Sequence, residues 1–173
     1  MSLTRLLVLL PTLLAGFVFA TTDDEIVRRF EAISIRFAKA LNDSPPYISP
    51  PDGRAGYATE WYRRKLYTPP VSFDVQKTNS LVSPLIGEIV FGCNVRGARA
   101  SSENELKVIP DSFDNTSQCK ASYAYQSSRW RFRTLSCLRS SATQRQDIWQ
   151  TIDPTKETTV SVYGRCHALL PSE

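Results

Sequence analysis

His167 is the only histidine in the chain, so a Ser/His/Asp or Cys/His catalytic set would have to be assembled around it. Its neighbour Cys166 cannot act as a nucleophile once bridged, and no GxSxG run precedes a helix, so His167 is expected to be an ordinary strand or tail residue. Cys93, Cys119, Cys137 and Cys166 could ligate zinc together with His167, but they lack the CxxC spacing that brings two thiolates onto one metal. Glycoside hydrolysis needs two facing carboxylates, and the strand-borne acids available are Asp74 and Glu88; solvent-facing strand positions explain both. No catalytic residue, metal or cofactor is expected.

Binding chemistry is better represented. Trp61, Tyr62, Arg63, Arg64, Lys65 and Tyr67 lie together, and Arg129, Arg131 and Arg133 project from one side of a strand. Trp, Tyr and Arg dominate protein interfaces, and arginines with aromatics also suit polyanions such as cell-wall polymers or anionic headgroups. The plainer account is a solvated strand face whose arginine stems cover a Tyr or Trp. The expected binding residues are Trp61, Tyr62, Arg63, Arg64, Arg129, Arg131 and Arg133, against a protein or polyanion. Lys plus Arg number 21 and Asp plus Glu 17, a net +4. Without the first 20 residues, which hold Arg5, the balance is 20 − 17 = +3, too modest to argue specific nucleic-acid binding from charge. Asn115-Thr116-Ser117 fits a glycosylation acceptor in a eukaryotic source.

The chain's 173 residues, 42% apolar, suffice for one domain with a single core. Met1 to Ala20 combines Arg5, an apolar run from Leu6 to Phe19, and small residues Val18 and Ala20 where a signal peptidase reads them. A signal peptide over 1–20 and a single domain over 21–173 are expected, in a secreted or periplasmic protein. As a membrane anchor the run is short of the roughly 20 apolar residues required, and Pro11 interrupts it. Phe17 follows Leu14-Ala15-Gly16 where a lipoprotein would carry cysteine, and no later segment is apolar enough to span a bilayer. An even cysteine count in an exported chain favours two disulfides.

Thr22 with Glu25 forms a capping-box pattern, and Ile26, Phe30, Ile33, Phe37 and Leu41 recur as one helical stripe ending before Ser44-Pro45-Pro46. Residues 44–56 read as a Pro/Gly-rich surface loop. Residues 57–67 read as a short helix with Tyr57, Trp61 and Leu66 inward and Arg63, Arg64 and Lys65 outward. Val71, Phe73 and Val75 alternate as a half-buried strand. A second strand puts Leu85, Ile89, Phe91, Cys93 and Val95 on one face, with Gly87 at a bulge or bend. Residues 96–117 form a polar excursion with at most a short strand at 106–109, and residues 140–156 a second polar connection. Val160 and Val162 begin a last strand that carries Cys166.

From Cys119 to Cys137 the chain reads as one hairpin, with Tyr123, Tyr125, Trp130 and Phe132 half-buried and Gln126-Ser127-Ser128-Arg129 as the turn. Pairing 125 with 130 offsets the two cysteines by one residue and sends them to opposite faces; pairing 125 with 131 would align them. If strands 85–95 and 119–126 are antiparallel neighbours, Cys93 lies beside Cys119. Cys93–Cys119 and Cys137–Cys166 are then favoured, each closing a long polar loop, with Cys119–Cys137 as the rival.

The amphipathic helix, strand, irregular connection and antiparallel meander ending in Y-x-Y, turn, W-x-F resemble the helix-on-curved-sheet architecture of cystatin-like and NTF2-like domains. The run Lys77-Thr78-Asn79-Ser80-Leu81-Val82-Ser83-Pro84 followed by Gly87 also resembles a stretch found in exported bacterial proteins, and brings no activity with it. The resemblance implies an α+β domain with an N-terminal amphipathic helix packed on a curved antiparallel sheet, and the even cysteine count of an exported chain adds the expectation that it is disulfide-bonded. It does not assign function, since NTF2-like members include enzymes and binding modules. Three readings follow: a non-catalytic binding protein; an inhibitor or immunity-type protein using a disulfide-closed loop, 94–118 or 138–165; and a small NTF2-like hydrolase.

Overall fold

A computed structural model describes residues 22–51, 59–141, 146–157, 161–171 and 173; the expected signal peptide, Tyr57 and Val160 lie outside these. The first described element is helix α1, Asp23–Asp43. Thr22 caps it in an extended conformation, its hydroxyl accepting from the Glu25 amide at 3.3 Å, while Asp23, Asp24 and Glu25 place negative charge in the first turn. The buried face is Ile26, Phe30, Ile33, Ser34, Phe37 and Leu41. The helix stops where Ser44 leaves helical geometry ahead of Pro45-Pro46, and Asn42 anchors the end through paired bonds with the Thr68 backbone at 2.9 and 3.2 Å.

Nine strands among the described residues build two antiparallel sheets. The four-stranded sheet is ordered β1 (Tyr47–Ser49), β2 (Trp61–Tyr67), β5 (Asn94–Ala100), β6 (Phe113–Asn115). The five-stranded sheet is ordered β3 (Ser72–Lys77), β4 (Leu85–Gly92), β7 (Gln118–Gln126), β8 (Arg129–Ser141), β9 (Gln146–Thr151). Two short helices, α2 (Glu103–Leu106) and α3 (Val162–Ala168), complete the α+β architecture. Two sheets stand where one was expected because the apolar run 85–95 breaks at Cys93. Its amide turns aside to the Ser117 carbonyl at 2.8 Å, so residues 85–92 and 94–100 enter different sheets. The chain crosses between the sheets at three neighbouring places, laced by Gly92 N to Thr68 Oγ1 at 3.2 Å and Ser117 N to Asn94 Oδ1 at 3.1 Å.

α1 covers the inner face of the five-stranded sheet, with Phe30 at its centre. The Phe30 ring meets Trp130 at 4.5 Å and Tyr123 at 5.5 Å between centroids, and Phe37 meets Phe91 at 4.6 Å. Gly87 marks no bulge: its Cα lies under the Phe30 ring, where a Cβ would come within 2.4 Å of Phe30 Cζ. The buried Trp130 indole donates to the Ile26 carbonyl at 3.2 Å, which joins hairpin and helix.

The disulfides are Cys119–Cys137 and Cys93–Cys166, not the favoured Cys93–Cys119 and Cys137–Cys166. Phe91, rather than Cys93, stands opposite Cys119, because β4 ends at Gly92 against Gln118. In the hairpin Tyr125 pairs with Trp130, the register that offsets the cysteines by one. A bulge between Ser122 and Tyr123 leaves Arg133 without an opposite residue and brings Cys119 back against Cys137.

Five other expectations are corrected. The expected helix at 57–67 is strand β2 over its described part, because β1 and β5 flank it on both edges and its inward residues never held a regular helical spacing. The loop 44–56 contains β1, and the excursion 96–117 continues β5 through the small residues Gly97, Ala98 and Ala100 before α2 and β6. Leu106 therefore closes a helical turn capped by Ser102 rather than opening a strand. The polar connection 140–156 supplies β9, paired to β8. The expected last strand is helix α3, started by the Ser161 hydroxyl accepting from the Gly164 amide at 2.9 Å and pinned by Cys166.

Candidate functional site

The hairpin turn is two residues long, and Ser127 and Ser128 both carry positive φ, 50° and 62°. That is the type I′ geometry whose twist matches the strands it joins. Alternation along β8 then buries Trp130 and leaves Arg129, Arg131 and Arg133 exposed. No hydrogen bond or ion pair within the described residues engages these three guanidinium groups. By contrast Arg29, beside the turn, is fully engaged: it donates to the Ser128 carbonyl at 2.9 Å and binds the Glu173 carboxylate at 2.7 Å, which holds its charge more firmly than usual. Glu173 also accepts from the Trp130 amide at 2.9 Å, so this ion pair pins the turn from behind.

Farther along the outer face of this sheet, Lys120 lies 3.6 Å from Glu88 and over the Trp149 ring at 4.9 Å. Asp74 and Glu88 are direct cross-strand partners, so two carboxylates do stand side by side. They sit on the outer face: Asp74 accepts from the Gln76 side-chain amide at 2.7 Å and Glu88 is paired with Lys120, which accounts for both as surface charges.

β2 treats its basic cluster differently, because strand alternation divides it between two faces. Trp61 packs toward Ala98, Ala100 and Leu106. Arg63 turns to the chain following α2, donating to the Leu106 carbonyl, to Ile109 O at 2.8 Å and to Asp111 at 3.0 Å. Lys65 donates to Asn42 O at 2.7 Å and to Ser44 O, satisfying carbonyls at the end of α1. On the opposite side Arg64 stacks over Tyr62 at 4.3 Å and donates to Ser49 Oγ. A shallow cavity of about 310 Å³ lined by Pro46, Arg63, Lys65, Arg96, Gly97 and Asp111 is therefore basic, yet two of its cations hold backbone.

The structure brings Arg129, Arg131 and Arg133 together on one strand and places Trp61, Tyr62, Arg63 and Arg64 in the other sheet. Cys93, Cys119, Cys137 and Cys166 are all in disulfides, which leaves His167 with no thiol partner; its ring packs on Phe132 at 5.2 Å. Neither 94–118 nor 138–165 is closed by its own bridge, so the inhibitor reading loses its premise. Sequence reasoning missed Lys120 and Trp149, whose meeting across β8 depends on β9 being a strand. It also passed over Leu81 and Val82, whose signal was two aliphatics inside an otherwise turn-forming run. Comparison with protein-family models, with curated proteins and with solved structures finds no match to the chain.

Proposed function

We propose that this is a non-catalytic binding protein of a secreted or periplasmic setting, which engages a polyanionic partner through Arg129, Arg131 and Arg133. The observation that carries the reading is that these three cations have no partner among the described residues and stand on a disulfide-closed hairpin, while Arg63 and Lys65 are engaged by backbone carbonyls. Unpaired arginines on a fixed strand keep their donors available for phosphate, sulfate or carboxylate groups and lose little conformational freedom on binding. The two disulfides fit an oxidising compartment. The likeness to cystatin-like and NTF2-like domains belongs to this proposal as architecture alone.

Retention on an immobilised polyphosphate matrix tests it. Charge reversal at Arg131 and Arg133 together should abolish retention at about 0.15 M salt, whereas reversal at Lys107, on the four-stranded-sheet side, should leave it intact. Retention that survives the arginine reversals would sink the assignment.

A further inference from the structure

The loop between β3 and β4, residues 78–84, presents Leu81 fully exposed and Val82 71% exposed. Such a pair of aliphatics would ordinarily collapse, but the loop is held open by its own polar groups. Thr78 N donates to Pro84 O at 2.8 Å, Ser80 N to Thr78 Oγ1 at 3.1 Å, and Ser83 N to Ser80 Oγ at 3.1 Å, while the Thr78 hydroxyl donates to Ser83 O. Gln126 at the hairpin end donates to Ser83 Oγ, which fixes the loop beside the turn. Leu81 and Val82 therefore lie beyond the strand ends, with Arg129 at the first position of β8 and Arg131 about 7 Å farther back at ordinary strand rise. Ile86, 45% exposed, shares a cross-strand row with Ala124 and Arg131.

We propose that this end of the five-stranded sheet docks on an anionic lipid bilayer, with Leu81 and Val82 entering the acyl boundary and Arg129 and Arg131 meeting the headgroup phosphates. The inference rests on the polyanion reading for its arginines and adds the loop. Its warrant is the order in depth: apolar at the tip and cationic behind it, the reverse image of a bilayer, which is anionic at the surface and apolar beneath. An acidic protein cleft would satisfy the arginines but gives no reason for two bare aliphatics ahead of them. α1 begins at this same end, where Asp23 pairs with Lys77. Neither signal suffices alone, since a small apolar tip or a few cations each give only marginal attachment.

The test is cosedimentation of the exported, oxidised chain with phosphatidylglycerol/phosphatidylcholine vesicles and with phosphatidylcholine vesicles, run beside polyphosphate retention. The wild type should favour the anionic vesicles at least about tenfold. Leu81→Ser with Val82→Ser should weaken vesicle partition about tenfold and leave polyphosphate retention unchanged, whereas Arg129→Glu with Arg131→Glu should weaken both. All four side chains point into solvent, so an unchanged near-ultraviolet spectrum will show that the fold is kept. Vesicle binding indifferent to the Leu81 and Val82 substitutions overturns the bilayer inference. So does polyphosphate retention with no vesicle binding, the result an acidic protein partner would give, and this leaves the arginine reading standing. Failure on polyphosphate as well overturns both.

Discussion

At the scale of single residues, the same side-chain type does opposite work according to what the backbone leaves unsatisfied nearby. Arg63 closes carbonyls after α2, so Arg63→Ala should lower stability by about 1–3 kcal/mol in urea denaturation, whereas Arg131→Ala should change it by less than about 0.5 kcal/mol. Gly87→Ala drives a methyl group into the Phe30 ring and should cost about 1–3 kcal/mol, measured the same way, although alanine is otherwise a mild change. Burial raises the Tyr123 phenol well above its ordinary value, and its hydroxyl donates to Pro171 O at 3.2 Å. Below about pH 10 the folded and unfolded chains both keep the tyrosine proton, and this contribution to stability is fully present. Above it the unfolded chain releases a proton that Tyr123 retains, so stability falls as pH rises. Tyr47, also raised by burial against the opposing pull of Arg64 and Arg165, acts in the same direction. The urea midpoint should therefore drop as pH rises above about 10, and less steeply in Tyr123→Phe.

At the scale of elements, legibility followed the strength of local pattern. The hairpin was legible because alternating aromatics and a polar dipeptide turn are short-range signals, and the stripe from Ile26 to Leu41 appears as the buried face of α1. β2, β9 and α3 were misread because each holds its form through neighbours: β2 between β1 and β5, β9 along β8, and α3 through the bridge from Cys166 to Cys93. The two bridges should differ in effect. Cys93–Cys166 spans 73 residues and Cys119–Cys137 spans 18, so replacing the first pair by serine should cost about 4 kcal/mol and the second about 3 kcal/mol if unfolded-chain entropy dominates. Equal losses in denaturant titrations of the two double variants would instead assign the effect to native packing.

At the scale of the whole molecule, the two sheets are unequally supported. The five-stranded sheet carries most of the main core under α1, whereas the outer part of the four-stranded sheet rests on Ala98, Ala100 and Leu106 with Trp61 and Ile109 beside them. Native-state hydrogen exchange should accordingly find β1 and β6 opening at lower free energy than β4 and β7; uniform protection would contradict that division. The sequence by itself determined the capped amphipathic helix pattern and the hairpin with its turn, because each is written in residues close along the chain, while the α+β class and the even set of cysteines follow from the tally of elements and composition without any need to know which parts meet. Only the tertiary structure decided which cysteines meet, since a single bulged residue at Arg133 shifts every later side chain on β8 to the other face. It likewise decided which arginines lack a partner among the described residues, because a cation's availability depends on carbonyls and carboxylates brought to it from distant parts of the chain.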